Sequence, residues 1–200
     1  MSIHQLVLFP TNPYHPVDLE MLETHLIDSG FLGAKGMECD APRFQPGQRF
    51  LEWINFGHGE SFFDAAPRMT GWVEVSRVHP RSRCSIELTR CNVPADGIGG
   101  MVSELTEDPR CPHCHSKREG WADALASCWS HTKGWERLFC DSCPKGGLPW
   151  EWDWAHTTGF SRIWLEVNCI RGGEANPSTA LLDALAGWSG VSWTYCFVWL

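Results

Sequence analysis

The 200-residue chain is long enough for one substantial domain, and with 43% hydrophobic residues it can bury a real core. Its 16 basic and 24 acidic side chains give a formal charge of −8, which disfavours nucleic acid as a partner. No run of about 18 apolar residues is present to span a membrane, and Met1–Pro10 has no cationic leader. We therefore expect a protein of the reducing cytoplasm, with no membrane association.

The first quarter of the chain predicts two strands separated by a helix. Ile3–Phe9 has the apolar character of a strand. Apolar residues over Val17–Leu26 recur at helical spacing, and Ser29–Gly30 is a suitable helix end. The Gly- and Pro-rich stretch 33–48 is typical of a loop, and 49–56 is predicted to be the second strand.

The middle of the chain predicts a hairpin followed by a short helix. Gly71–Val78 and Arg83–Cys91 have strand character and are separated by a turn at 79–82, so we expect two paired strands. The glycines of 92–110 favour a loop, and Trp121–Trp129 predicts a short helix.

The last part of the chain predicts a strand, a helix and a strand. Phe160–Ile170 alternates in polarity as a half-buried strand does. Asn176–Pro177 has the residue types that begin a helix, and Gly187 is a suitable end. Ser192–Leu200 is so apolar that we expect it inside a sheet rather than at an exposed edge.

Together these elements predict an α+β fold with a mainly antiparallel sheet and two or three helices. We expect a single domain over 1–200, into which 111–144 is inserted as a metal-binding module. Some cysteines lie in predicted strands and are expected in the core: Cys84, Cys169 and Cys196.

Two Cys-x-x-Cys units, at Cys111/Cys114 and Cys140/Cys143, are separated by 25 residues. Two thiolates three positions apart can bind one ion while the amides that follow point back at the sulfurs, and two such turns complete a tetrahedral shell. The segment 111–143 resembles a zinc ribbon or a related treble-clef-like pair of knuckles. The resemblance implies one Zn²⁺ held by these four cysteines.

A shell of four sulfurs is closed and has no position for water, so we expect the zinc to be structural rather than catalytic. Two alternatives stay open for these cysteines. One Cys-x-x-Cys pair can be redox-active. Otherwise, a nearby ligand can replace one cysteine in the shell, the candidates being His113, His115, Cys128 and His131.

One further pattern suggests catalysis. His58-Gly-Glu60 upstream of Cys111-x-x-Cys114 resembles the zinc deaminases, in which a His and two Cys hold the metal and a Glu transfers protons. The pattern departs from that family because Arg110, and not a proline, precedes the first cysteine. The chain has no nucleophile elbow, phosphate-binding loop or His-Glu-x-x-His motif, so we expect no enzymatic activity.

A cluster of basic side chains surrounds the predicted 79–82 turn. Its members can contact a phosphate, although a solvated turn is the simpler interpretation: Arg77, His79, Arg81 and Arg83.

Tryptophan is unusually common, with 12 residues in the chain. Large aromatic side chains at a surface often anchor protein interfaces. Trp150, Trp152 and Trp154 alternate with Glu151 and Asp153, so an extended segment would place the three indoles on one face. We predict that these five residues bind a partner, and the two carboxylates disfavour nucleic acid in that role.

Negative charge is concentrated at the start of the chain, where residues 1–66 carry three basic and nine acidic side chains. This predicts a non-catalytic protein-binding protein with a basic partner, most specifically an inhibitor or immunity protein that neutralises a basic toxin such as a nuclease. The alternatives are a nucleic-acid-associated zinc-ribbon protein and a zinc-dependent hydrolase or deaminase. The sequence pattern does not specify an oligomeric state.

Overall fold

The computed structural model describes residues 4–38, 41–56, 85–90, 97–103, 106–130, 133–170 and 173–199. The strands are β1 (His4–Pro10), β2 (Leu32–Glu38), β3 (Ala41–Pro46), β4 (Ile54–Phe56), β5 (Ile86–Arg90), β6 (Gly99–Val102), β7 (Trp129–Ser130), β8 (Gly134–Trp135), β9 (Leu138–Phe139), β10 (Gly146–Gly147), β11 (Thr158–Ser161), β12 (Ile163–Asn168), β13 (Ala175–Pro177) and β14 (Trp193–Trp199). The helices are α1 (Leu19–Asp28), α2 (Phe50–Trp53), α3 (Trp121–Ser127) and α4 (Thr179–Ser189), and a 3₁₀ turn covers Pro149–Glu151.

A six-stranded sheet in the order β14-β1-β12-β5-β3-β2 forms the centre of the fold. Each neighbouring pair of strands is antiparallel. The register places Leu8 beside Leu165 and Leu165 beside Leu88, so apolar side chains line up across β1, β12 and β5. The prediction of an α+β fold with a mainly antiparallel sheet is confirmed.

Helices α1 and α4 cover one face of this sheet. Asp18 begins α1 by accepting two backbone N–H groups, and Ser178 begins α4 by accepting the N–H of Leu181. Gly190 ends α4 in the left-handed conformation that glycine adopts readily. The buried leucines of the two helices belong to the same core cluster as the inward-facing strand residues: Leu22, Leu26, Leu181 and Leu185.

The opposite face of the sheet is also covered at the β1 and β14 end. A second apolar cluster there combines side chains of β1, β12 and β14, with Met101 of β6 packed against it: Val7, Phe9, Trp164, Cys196 and Val198. The strands β6 and β11 pair as a separate antiparallel ribbon. Because both faces of β1 are buried, its sequence is a continuous apolar run and not an alternating one.

The stretch 33–48, predicted to be a loop, instead forms the β2–β3 hairpin at one edge of the sheet. Its glycines mark close backbone contacts. A Cβ added to Gly33 would lie 3.0 Å from the carbonyl oxygen of Gln45, and one added to Gly47 would lie 2.1 Å from that of Gly30. The glycines that suggested a loop are therefore needed where two neighbouring backbones pack closely together.

Two boundaries in the first and last parts of the chain also differ from the prediction. The segment 49–56 begins as α2 and becomes extended only in β4. Asn176 and Pro177 do not begin a helix, because they belong to β13, which pairs with β4. The helix α4 starts after Ser178 and continues beyond Gly187, since its left-handed C-cap is Gly190.

The predicted strand Phe160–Ile170 is two strands, β11 and β12, which separate at Arg162 and join different sheets. Cys169 follows β12 with a φ of 66° and is exposed, so its expected core position is wrong. Cys196 is buried as expected. Burial raises the pKa of the Cys196 thiol, which is consistent with an inert core residue.

The strand β14 lies at the end of the strand order, so the prediction of an interior position is wrong. Two N–H groups along this strand are nonetheless bonded to segments outside the sheet. The N–H of Phe197 donates to the carbonyl of His156 at 2.8 Å, and the N–H of Trp199 donates to Ser103 Oγ at 3.2 Å. Segments outside the sheet thus cover this edge, which explains how an apolar strand can occupy it.

Several predictions lie outside the described residues. They concern the strand at 71–78, the turn at 79–82 and the basic residues around it, and the side chains of His58, Glu60 and Cys84. Among the helices that the structure describes, none has the length and apolar character needed to cross a membrane.

Candidate metal centre

Each Cys-x-x-Cys unit lies at the turn of a short antiparallel hairpin. In the first, a β-bridge flanks the turn, and the Cys111 N–H donates to the carbonyl of Ser116 at 3.0 Å. In the second, β9 pairs with β10, and the Cys140 N–H donates to the carbonyl of Lys145 at 3.1 Å. The two units therefore present their cysteines from turns of the same kind.

The four cysteine sulfurs converge from the two hairpins. The Sγ atoms of Cys111 and Cys143 are 3.8 Å apart, those of Cys114 and Cys140 are 3.6 Å apart, and all four lie within 4.8 Å of one another. Four thiolates bound tetrahedrally at about 2.3 Å from a central ion stand about 3.8 Å from each other. The cluster can therefore hold a metal ion, which would cross-link the two hairpins.

Backbone N–H groups are directed at two of these sulfurs. The amide nitrogen of His113 lies 3.4 Å from Cys111 Sγ, and that of Ser142 lies 3.3 Å from Cys140 Sγ. In each unit the donor comes two residues after the first cysteine. Such donors stabilise the negative charge of a thiolate, which is the form that binds metal.

The pKa values of two cluster thiols are shifted in opposite directions, and the four sulfurs are too close to be ionised together without a cation. Hydrogen bonds from the side chain and backbone of Ser116 lower the pKa of Cys114 to about 6. The Lys145 backbone lowers the pKa of Cys143, but burial and the neighbouring cysteines outweigh it and raise that pKa to about 11. Four sulfurs this close cannot all ionise alone, whereas a dication among them stabilises every thiolate.

The hairpins are also joined outside the sulfur cluster. Arg118, which follows the first hairpin, forms an ion pair with Asp141 in the second. Beneath them is a small apolar cluster that we call the module core: Ile98, Cys111, Leu125, Leu138, Trp152, Trp154 and Phe160. A metal at the cysteines would therefore pin two hairpins over a core that is much smaller than that of the main sheet.

The alternative ligands do not join the cluster. Cys128 Sγ instead donates to the carbonyl of Arg137 at 3.4 Å, and burial raises the pKa of its thiol. His113 and His115 are exposed, while His131 lies outside the described residues. Within the part of the chain that the structure describes, the group of side chains able to share one metal ion consists of Cys111, Cys114, Cys140 and Cys143.

The Trp150–Trp154 segment is not extended along its length, because it begins in the 3₁₀ turn. Trp152 and Trp154 are only 4% and 5% exposed and belong to the module core, so these two indoles are not surface anchors. Trp150 is half-buried and meets Tyr14 edge to face at 5.4 Å. The expectation of three indoles on one exposed face is therefore wrong.

The two carboxylates of this segment are exposed but take part in local structure. Glu151 Oε2 accepts the N–H of Leu148 at 2.7 Å. Asp153 Oδ1 accepts the N–H of Ala155 at 3.0 Å, and the backbone of Asp153 forms a β-bridge with Arg110, next to the first cysteine. The segment thus holds the first hairpin against the module core.

Sequence reasoning missed a buried polar cluster on the main sheet. Gln5 Nε2 donates to Asn168 Oδ1 at 2.7 Å, and Asn168 Nδ2 donates to Glu87 Oε1 at 2.9 Å. Thr89 Oγ1 donates to Glu166 Oε1 at 2.8 Å, and burial raises the pKa of Glu166. The signal in the sequence was polar residues at alternate positions of strands that are otherwise apolar.

Comparison of this chain with protein-family models, with curated proteins and with solved structures gives no match.

Proposed function

We propose that this is a non-catalytic protein-binding protein whose fold is supported by one structural zinc ion. The sulfur spacing of the four-cysteine cluster supports zinc, because Zn²⁺ favours tetrahedral thiolate shells with bonds of about 2.3 Å. A shell closed by four sulfurs leaves no position for substrate or water. The metal therefore acts by holding the hairpins together, and binding takes place at another surface.

The observation that carries the binding proposal is the outer face of α1. Its exposed residues lie at helical spacing and define what we call the α1 face: Glu20, Met21, Thr24, Ile27 and Asp28. Met21 and Ile27 are 47% and 44% exposed, so two large apolar side chains share this face with two carboxylates. An apolar centre beside charged groups is the usual composition of a protein interface.

Charge on the α1 face indicates a basic partner. Glu20 and Asp28 form no ion pair among the described residues, whereas Glu23 on the flank is paired with Lys35 at 2.7 Å. Unpaired carboxylates accelerate association with a cationic surface and select against acidic ones. The most specific form of the proposal is an inhibitor or immunity protein whose carboxylates occupy the phosphate site of a basic toxin such as a nuclease.

The partner is tested by affinity capture from an extract of the native host with three baits. These are the wild-type protein, the Glu20→Lys/Asp28→Lys double variant and the control Asp183→Lys, which reverses an exposed charge on α4. We expect the wild type and the control to retain the same basic protein and the double variant to lose it. The purified partner should then bind with submicromolar Kd and lose its own activity in the complex.

Two results would contradict this function. Equal recovery by all three baits, or recovery of no protein, would remove the role of the α1 face. Retention of the protein on DNA or RNA with a steep salt dependence would favour the nucleic-acid-associated alternative. Elemental analysis of the purified protein tests the metal separately, with one zinc per chain as the expected content.

A further inference from the structure

A cavity of about 240 Å³ lies where the end of the main sheet meets the module core. Aromatic rings line much of it. Trp150 and Tyr195 are half-buried and His156 is exposed, so these three rings are within reach of a ligand from solvent. Buried rings lie behind them, among them Phe9 and Phe160. The cavity therefore offers a small ligand an aromatic wall on both sides, which is a common property of ligand sites.

The lining also contains a carboxylate but, among the described residues, no Lys or Arg. Asp153 is exposed, and its Oδ1 accepts the Ala155 N–H at 3.0 Å. Arg110 is the β-bridge neighbour of Asp153, but its Nη1 donates to the carbonyl of His115 at 3.4 Å instead. Asp153 forms no ion pair with another described residue. A ligand that covers this carboxylate must replace the water around it with a compensating charge or donor.

The backbone at the edge of the cavity is held in an unfavourable conformation. Ala155 and His156 have φ angles of 49° and 59°, so two consecutive residues other than glycine are left-handed. The turn is closed by the Thr157 N–H, which donates to the carbonyl of Trp154 at 2.9 Å. The same turn places the ring of His156 flat on that of Tyr195. Strained turns persist where the surrounding contacts hold them, and they are concentrated at ligand sites.

These groups select the charge of the ligand. The faces of aromatic rings are partially negative and attract cations. An anion would meet the Asp153 carboxylate without a Lys or Arg in the lining to compensate it. An apolar neutral group would fill the cavity but would give Asp153 neither a charge nor a hydrogen-bond donor. A cation is attracted by the rings and by the carboxylate together.

We propose that this cavity binds a methylated ammonium group. Its methyl groups pack on aromatic rings, and its positive charge lies beside Asp153. A primary ammonium is more strongly hydrated, so it loses more on entering an aromatic site. The group can belong to a small quaternary amine or to a methylated lysine side chain. The site is separate from the α1 face and from the cysteine cluster, and it does not depend on the function proposed for either.

The test is NMR titration of the ¹⁵N-labelled protein with choline and with 3,3-dimethylbutan-1-ol, a neutral molecule of nearly the same shape. We expect choline to bind with millimolar or lower Kd and to shift the amide signals of cavity residues such as Gly159 and Thr194. The neutral analogue should bind about tenfold more weakly, because it has no charge for the rings and the carboxylate to attract. A peptide that contains one trimethyllysine tests the other source, and the tighter of the two cations identifies it.

The variant that tests the carboxylate is Asp153→Asn, which keeps an oxygen for the Ala155 N–H but removes the charge. Affinity for the bound cation should fall about threefold or more. Glu151→Gln is the matched control, because it removes an exposed carboxylate from the same segment at a position that does not line the cavity. It should bind as the wild type does.

Three results would overturn the proposal. The first is that neither choline nor the trimethyllysine peptide binds. The second is that the neutral analogue binds as tightly as choline, which would mean that the cavity selects shape and not charge. The third is that Asp153→Asn and Glu151→Gln change the affinity equally while both keep the wild-type amide spectrum.

Discussion

The imidazole of His156 lies flat against the ring of Tyr195, with centroids 4.4 Å apart and planes 9° apart, and its Nδ1 is 2.9 Å from the Tyr195 carbonyl. The carbonyl of His156 accepts a second bond, from the Phe197 N–H at 2.8 Å. Both partners belong to the edge strand β14. Unpaired strand edges promote pairing between chains, so the contacts of His156 help to protect this edge. The same contacts join the Trp150–Trp154 segment to the main sheet.

We expect His156→Ala to lower the free energy of unfolding by about 1–2 kcal/mol, because it removes a hydrogen bond and an aromatic contact. Urea denaturation followed by circular dichroism measures the change. Tyr195→Phe is the control, since it keeps the ring and the backbone carbonyl that His156 contacts. It removes only an exposed hydrogen bond from Tyr195 Oη to Asn176 Oδ1 at 3.5 Å, so it should cost much less. Equal destabilisation by the two variants would mean that the His156 contact contributes nothing specific.

Substitution of one cluster cysteine should abolish metal binding. Cys114→Ser leaves three sulfurs, so we expect metal content to fall well below one ion per chain and the hairpins to become sensitive to proteolysis. Cys128→Ser is the matched control, because Cys128 donates to the Arg137 carbonyl and not to the cluster. Inductively coupled plasma mass spectrometry measures the metal. Loss of metal in Cys128→Ser would show that the ligand set is different.

The two buried indoles of the module core should respond differently to the same substitution. Trp154→Phe removes the hydrogen bond to Pro149. It should cost about 1–2 kcal/mol more than Trp152→Phe, because Trp152 Nε1 has no hydrogen-bond partner among the described residues. Both changes remove a similar amount of aromatic surface. Thermal and urea unfolding of the two variants measure the difference, and equal costs would indicate that the Trp152 N–H is bonded in solution.

The carboxyl of Glu166 should make stability depend on pH. Burial raises its pKa in the folded protein above the ordinary value of 4.5, so the folded state retains the proton to higher pH. The stabilising contribution is complete below the unfolded pKa and is lost as pH rises through the folded pKa. The free energy of unfolding of the wild type minus that of Glu166→Gln should therefore fall as pH rises from the unfolded pKa through the raised folded pKa, by about 1.4 kcal/mol for each unit of pKa difference.

Urea denaturation at a series of pH values measures this difference. Asp183→Asn, at an exposed position of α4, is the control and should track the wild type across the series. A difference between the wild type and Glu166→Gln that is constant with pH would mean that the folded and unfolded states bind the Glu166 proton equally.

The cysteine cluster was predictable because its determinants are local. Each Cys-x-x-Cys unit folds within a single turn, and its spacing is the chemical requirement for two thiolates on one ion. The spacing left Cys128 open as an alternative ligand, and the structure places its Sγ against the Arg137 carbonyl instead. Strand β1 and helix α1 were predictable for a related reason. The apolar run of β1, and the helical spacing and Ser29–Gly30 end of α1, are visible in short windows.

Prediction failed where long-range packing decides. The glycines of 33–48 suggest a loop by composition, yet Gly33 and Gly47 are required where neighbouring backbones approach too closely for a Cβ. The alternation at Trp150–Trp154 suggests an exposed face, yet Trp152 and Trp154 fill the core beneath the cysteines. In each case a local pattern was consistent with two environments, and only distant segments determined which one applies.

The sequence by itself predicted that Cys111, Cys114, Cys140 and Cys143 come together, because Cys-x-x-Cys spacing is a local pattern with a known chemical use. It also determined the fold class, because hydrophobic periodicity reflects burial element by element. Only the tertiary structure decided which tryptophans are buried, that β14 is an edge strand bonded to His156, and that Trp152 Nε1 is buried without a partner among the described residues. These features depend on contacts between residues far apart in the chain. The free energy of such contacts cannot be read from a local sequence pattern.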